Sequence, residues 1–303
     1  MKHIKLLALT IITASVLAGC SQPATDTYDP SKLQVIVTIP PQLELVRAIG
    51  GDHVQVTVMV PPGASPETYE PTPDQMQAVA HGQVYFKEGI LPFEQLNLDK
   101  LLQVNSKLDI VDTSVSIDYR QIEEEGDDEH GHNGHEHESG ADPHVWNDPN
   151  NVMLQAVIVR DTLIKLHPNQ KATFEANYQS YINQLTDLDT YLRQAFAPLK
   201  GKEILVYHPA FGYLTDRYGL VQKPIELSGK EPSPVKVQEI INQAKVDGVK
   251  VIFVQKQFNT KASEVIASEI GGKVVTIDPL AADYVANLRQ LAHTISQNLT
   301  NSH

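Results

Sequence analysis

Apolar and polar positions along this chain fall into a strand-then-helix rhythm. The first folded element is Val35-Ile36-Val37-Thr38-Ile39, a β-branched run stopped by Pro40-Pro41. A helix follows, with Leu43, Val46 and Ile49 on one face and Gly50-Gly51 at its end. Residues 54–60 alternate as Val-Gln-Val-Thr-Val-Met-Val, the pattern of a half-buried strand, and Pro61-Pro62-Gly63 ends it. Thr72-Pro73-Asp74-Gln75 predicts a helix start, with Thr at the N-cap, Pro at the first helical position and Gln three residues after the cap. Val84-Tyr85-Phe86 reads as the next strand, and 92–103 and 150–166 as helices. From Pro168 a longer helix begins. Phe174, Tyr178, Tyr181, Leu185, Leu188, Leu192 and Phe196 recur at steps of three and four, a sustained helical stripe. Its span of about 28 residues gives roughly 40 Å at 1.5 Å per residue, enough to cross between two lobes. In the last third, strands at 203–207, 250–254 and 274–277 alternate with helices at 210–218, 233–246, 260–270 and 283–299. Such alternation predicts an α/β fold with parallel sheets covered by helices on both faces.

The first 20 residues do not fit that rhythm. Lys2 and Lys5 precede a largely apolar run from Leu6 to Leu17, too short to span a bilayer as a helix, and the run ends in Leu17-Ala18-Gly19-Cys20. This resembles the lipobox of bacterial lipoproteins, in which the Cys is lipidated and becomes the mature N-terminus. The alternative is a buried Cys after a core helix. On the first reading 1–20 is a signal peptide, 21–32 a polar tether, and the folded part works outside the cytoplasm, in the periplasm or on the outer cell surface, anchored through Cys20. The rest divides into an N-terminal lobe at 33–166, a linking helix at 167–198 and a C-terminal lobe at 199–303.

Composition narrows the function. The chain has 303 residues, 41% of them hydrophobic, which suits about two domains with real cores and excludes a wholly disordered chain. One cysteine excludes an internal disulfide framework, a cysteine zinc site and an iron–sulfur cluster. Aromatics at 6% and a formal net charge of −13 argue against a nucleic-acid partner. The charge is concentrated: of 37 acids, eight fall in 121–140 with four histidines and no Lys or Arg, leaving 29 acids against 24 bases elsewhere. That insert, with His130, His132, His135 and His137 interleaved with Gly, Asn and acids, cannot bury enough apolar surface to fold alone. Imidazoles and carboxylates together draw divalent cations, so it reads as a secondary, weak metal loop, or as a merely solvated one.

Ligands of open α/β sheets bind just beyond the carboxyl ends of strands. His208 directly follows strand 203–207, Asp278 follows strand 274–277, and Glu67 and Glu70 lie in the loop after strand 54–60. His144 sits in Asp142-Pro143-His144-Val145-Trp146-Asn147-Asp148-Pro149, a rigid loop before the helix at 150. Two histidines with one or two carboxylates make a divalent-metal site. Each alone has a plainer reading: a hydrogen-bonded structural histidine, an Asp forming a turn before Pro, or a solvated acid.

The combination is similar to a known family. Thr38-Ile39-Pro40-Pro41, Gly50-Gly51-Asp52, the run Val60-Pro61-Pro62-Gly63-Ala64-Ser65-Pro66-Glu67-Thr68-Tyr69-Glu70-Pro71-Thr72-Pro73, Asp142-Pro143-His144-Val145-Trp146, His208-Pro209-Ala210-Phe211-Gly212-Tyr213 with Tyr218-Gly219-Leu220, and Thr276-Ile277-Asp278-Pro279-Leu280 resemble the metal-binding lipoproteins of ABC transporters, the ZnuA- and TroA-like solute-binding proteins. The likeness runs over about 33–300. It implies two α/β lobes joined by one long backbone helix, with the metal in the cleft between the lobes. It also implies a ligand set of Glu67, His144, His208 and Asp278. The family's first ligand is usually His in Pro-His-Thr-Tyr-Glu-Pro, and Glu67 stands in its place. A carboxylate there is acceptable to Zn2+ and makes the site harder, which relatively favours Mn2+ or Fe2+. Alternatively Glu67 swings away, and water or a histidine of the insert completes the shell.

The resulting expectation is a monomeric solute-binding protein that captures Zn2+ and delivers it to an ABC permease. Mn2+ or Fe2+ uptake, and a metal-buffering or adhesion lipoprotein, are the alternatives. An enzyme is not expected: there is no H-E-x-x-H and no G-x-S-x-G, and Gly229-Lys230 lacks the upstream Gly of a phosphate loop.

Overall fold

The computed structural model describes residues 28–122, 140–226 and 231–300. Cys20, His130, His132, His135, His137 and Gly229-Lys230 lie outside these. Two four-stranded, all-parallel sheets form the framework. The first has the order β2(Val54–Val58)-β1(Leu33–Val37)-β3(Val84–Lys87)-β4(Asp109–Asp112), with Leu33 opposite Val54, Val35 opposite Val84, and Val84 opposite Asp109. Its crossovers carry α1(Pro40–Gly50), α2(Pro73–His81) and α3(Pro92–Val104). The second repeats the order as β6(Val221–Pro224)-β5(Glu203–Val206)-β7(Val251–Gln255)-β8(Lys273–Ile277), with crossover helices α6(Gly212–Tyr218), α7(Pro234–Val246) and α8(Lys261–Glu269). Each sheet therefore reverses strand order once, at β1/β3 and at β5/β7, and opens a crevice at the carboxyl ends of those strands.

Three further helices hold the lobes together: α4(Pro149–Leu166), α5(Lys171–Phe196) and α9(Tyr284–Thr300). The expected stripe on α5 is the buried one. Phe174, Tyr181, Leu185, Leu188, Leu192 and Phe196 are inaccessible, and Tyr178 packs at its margin. α5 lies against α1 and α4 on one side and α9 on the other. As a result one apolar core runs without a break from Ile36 and Tyr85 of the first sheet, through Leu185 and Leu188, to Val206 and Phe253 of the second. A smaller cluster, including Leu205, Ile252, Val254 and Ile266, covers the other face of the second sheet. The two lobes share packed side chains, and rotating one against the other has to disturb them.

The start of α2 follows its local sequence closely. Thr72 Oγ1 accepts from Gln75 N at 3.3 Å and Gln75 Oε1 accepts from Thr72 N at 3.0 Å, the reciprocal capping box. β4 and β6 are the strands that the hydrophobic pattern does not announce. Both are edge strands of four residues, Asp-Ile-Val-Asp and Val-Gln-Lys-Pro, and neither has a wholly buried position. With one neighbour each they need little apolar surface, and Pro224 closes an edge without breaking a central ladder. No helix of the described residues is long and apolar enough to cross a membrane.

Candidate metal centre

Each candidate ligand is set by its own local device. Glu67 lies in the Pro/Gly-rich loop after β2. Gly63 turns that loop with φ of 84°, where a side chain would be strained. Ser65 Oγ accepts from Glu67 N at 3.2 Å, and Pro66 O accepts from Phe93 N at 2.9 Å, which docks the loop on α3. His144 is held by Asp142, whose Oδ1 meets His144 N at 3.0 Å and the ring Nδ1 at 2.7 Å. The indole of Trp146 lies against the same imidazole, with centroids 5.3 Å apart. His208 follows β5, where Gln255 of the neighbouring β7 accepts from its N–H and donates to its carbonyl. Glu226 Oε2 takes its Nδ1 at 2.7 Å, and the Phe258 ring stacks on it at 4.8 Å and 24°.

These supports aim three side chains at one point. His208 Nε2 lies 3.1 Å from His144 Nε2 and 3.1 Å from Glu67 Oε1. The three donor atoms all fall within 4.8 Å of one another, the one group of three or more such residues among the described residues. For a tetrahedral Zn2+ with bonds near 2.0–2.1 Å, neighbouring donors stand about 3.3 Å apart, close to what is seen. Both imidazoles have a carboxylate behind the far nitrogen, which fixes the ring and directs Nε2 inward. The cavity at this point measures about 20 Å3 and is lined by Pro66, Glu67, His144, His208, Phe258 and Leu280 among others. That is room for one ion or one water, and for no organic solute.

Charge favours a cation here. Burial opposes a charge on His208, but the hydrogen bond to Glu226 and the nearby Glu67 outweigh it and raise its pKa above the ordinary 6.5. Burial would likewise push the Asp142 carboxyl up, yet hydrogen bonds from His144 and Arg120 hold it below its usual range. In this arrangement the same surroundings favour a proton and a metal ion on His208, and the two compete.

Two of the sequence candidates stand apart from the three. Asp278 does follow β8, but its Oδ1 accepts from Leu280 N at 3.0 Å and Gln257 Nε2 at 3.2 Å, and its Oδ2 pairs with Lys256 at 3.3 Å. It borders the cavity only through its neighbours Pro279 and Leu280. Glu70 is at the surface, paired with Lys100 at 3.3 Å. The sequence reading did not single out the supports Asp142, Glu226 and Phe258. Asp142 carried a signal, since Asp-Pro-His sets the carboxylate over the histidine N–H two residues on. Glu226 and Phe258 carried none, because only the sheet order brings the ends of β6 and β7 beside that of β5.

Fold and site together define a two-lobe, helix-linked protein with a small interlobe centre suited to a divalent metal. The chain matches the family described as "Zinc-uptake complex component A periplasmic" over residues 35–298, and it belongs to that family. It is 31% identical over 284 residues to the high-affinity zinc uptake system protein ZnuA of Bacillus subtilis, covering 90% of this chain and 88% of that protein. It is 28% identical over 292 residues to the zinc-binding lipoprotein AdcA of Streptococcus pneumoniae, covering 92% of this chain and 56% of that one, so the chain spans about half the length of that relative. A crystal structure of ZnuA superposes with a TM-score of 0.81 at 36% identity, over 88% of this chain and 99% of that one.

Proposed function

We propose that the chain is the solute-binding component of an ABC uptake system, capturing Zn2+ outside the cytoplasm and presenting it to the permease. The observation that carries this is the convergence of Glu67, His144 and His208 in a cavity of ion size, each imidazole backed by a carboxylate. Family membership supports the transport role. The chain's own leader, with Lys2, Lys5 and the apolar run before Cys20, supports secretion and lipid anchoring. We assign Glu67, His144 and His208 as the ligands that are already in place. Asp278 is the proposed fourth; it reaches the ion only by leaving Lys256 and Gln257.

Neutral imidazoles and ionised carboxylates bind the ion, and the carboxylates of Glu67 and Asp278 would balance its charge. The donor set of two nitrogens and two oxygens also supports a second reading, Mn2+ or Fe2+ uptake, because the oxygen of Glu67 hardens the site. Metal content by mass spectrometry of the full chain purified without chelators, followed by Zn2+ against Mn2+ competition, separates the two. One Zn2+ per chain that is lost in H208A and weakened in D278N is the expected result. A wild-type chain with no tight, His208-dependent ion would sink the metal-transport reading, and preference for Mn2+ would transfer it to the second.

A further inference from the structure

Arg120 belongs to no ligand motif, yet it occupies the joint between the metal centre and the opposite lobe. Its Nη1 lies 2.9 Å from Asp142 Oδ2, and its Nε lies 2.9 Å from Asp216 Oδ2 on α6. Its backbone is tied to the same place: Arg120 N donates to Tyr213 Oη at 3.1 Å, and Arg120 O accepts from Asp142 N at 2.8 Å. Tyr213 Oη in turn donates to Asp142 O at 2.9 Å. The Asp142 side chain is 0% exposed and divides its two oxygens, one for His144 and one for Arg120. A buried carboxylate needs a charged or hydrogen-bonded partner on each side to stay in place, and the guanidinium supplies the second. Gly212 at the start of α6 makes the approach possible, because a Cβ there would fall on the guanidinium.

We propose that Arg120 is a positioning residue for metal capture: it clamps Asp142 behind His144 and ties that pair to α6 through Asp216. The inference rests on the metal-capture reading above and adds to it a residue that touches no ion. Without the clamp the Asp142 carboxylate is free to rotate off the imidazole, and His144 Nε2 loses its aim at His208. Removing a support of this kind from a metal-ligating histidine weakens affinity by about 10–100-fold. The tie to Asp216 links the arginine to the C-terminal lobe, although the Asp216 side chain is 61% exposed even when paired.

The test uses the full chain, with Zn2+ affinity measured by competition against a chromogenic chelator. The absorption spectrum of bound Co2+ serves as a signature of coordination geometry, and circular dichroism checks the fold. R120Q removes the clamp. G212A keeps the arginine and its charge, but its Cβ would fall on the guanidinium and 2.7 Å from Asp142 Oδ2, so it disturbs the arginine–carboxylate pair as a unit, and circular dichroism reports whether the fold survives. Both are expected to weaken Zn2+ by about 10–100-fold and to change the Co2+ spectrum, with R120K recovering part of the loss. D216N cuts only the tie to α6 and is expected to weaken binding by less than R120Q does. If R120Q and G212A both bind Zn2+ within about twofold of wild type, with an unchanged Co2+ spectrum while H208A abolishes binding, the positioning role is wrong and the metal reading stands. If D216N matches wild type, the tie to α6 is wrong. A wild type indifferent to H208A would instead indict the metal site itself.

Discussion

His208, a proposed metal ligand, is also the residue where a proton bears on the fold. It faces Glu67 and His144 through Nε2 and Glu226 through Nδ1, and its pKa is raised above 6.5 despite burial. A group whose folded pKa lies above its unfolded value stabilises the fold fully below the unfolded value, and that stability is lost as pH rises through the folded one. The metal-free protein is therefore expected to lose thermal stability as pH rises from 6.5 through the folded pKa of His208. The Zn2+-loaded protein is expected to gain apparent stability over the same window, because the ion no longer competes with that proton. Scanning unfolding against pH for both forms checks this, and H208N should flatten the metal-free slope. Parallel slopes in the two forms would show that the proton and the ion do not share His208. Of these groups, the two histidines and Glu67 were legible from their places at strand and loop ends. Their supports were less so: Glu226 is 18 residues away in sequence and reaches His208 only because β6 pairs with β5.

At the scale of elements, the loop carrying His144 works with the lobe it does not precede in sequence. It leads into α4, whose buried face lies against α1 and α5, yet its hydrogen bonds cross the cleft. Trp146 Nε1 donates to Pro279 O at 2.8 Å, Asn147 Nδ2 to Ala210 O at 2.8 Å, and Tyr284 Oη to Trp146 O at 2.8 Å. Arg217 pairs with Asp148 at 3.1 Å. Glu67, by contrast, stays on a loop bonded to α3 of the first lobe. His144 and His208 are thus held together by the same lobe, and Glu67 is the proposed ligand brought to them from across the cleft. W146F keeps an aromatic ring but loses half of the indole, so it removes the buried N–H bond to Pro279 O and leaves a small cavity in the core. The lost hydrogen bond alone is expected to cost about 1–2 kcal/mol, so Zn2+ release in stopped-flow exchange with a chelator should be faster by at least roughly 5-fold. An unchanged release rate would mean this bond does not help to retain the ion. None of this was readable along the chain, because a tryptophan beside a ligand histidine reads as core. The long helix was readable, since seven apolar residues at helical spacing leave no other way to bury them. β4 and β6 were not, since edge strands need no such pattern.

The whole molecule sets a small centre beside an insert rich in the same donor types. Chain direction places the acidic insert between Arg120 and Asp142, and the two ends meet at the Gln121–Ala141 bridge, with Ile122 N bonded to Gly140 O. The insert's entry and exit are therefore one residue from the pair that supports His144. The described contacts of Glu67, His144 and His208 lie within the folded lobes. Removing residues 123–139 while keeping the bridge is expected to leave one tightly bound Zn2+ and an affinity within about threefold of wild type, because all the proposed ligands and their described supports remain. It is also expected to abolish the additional, weakly held ions and to slow capture at low ionic strength. The segment between 121 and 140 holds eight of the 37 acids, and a concentrated negative field raises the local density of a dication. The slowing should vanish as salt shortens the screening length toward about 8 Å at physiological strength. Stopped-flow association at several salt concentrations, with equilibrium titration alongside, reads both quantities on the same two proteins. Loss of the tight ion on deletion would move the primary site into the insert. An association rate equal to wild type at every salt concentration would leave the insert without a part in capture.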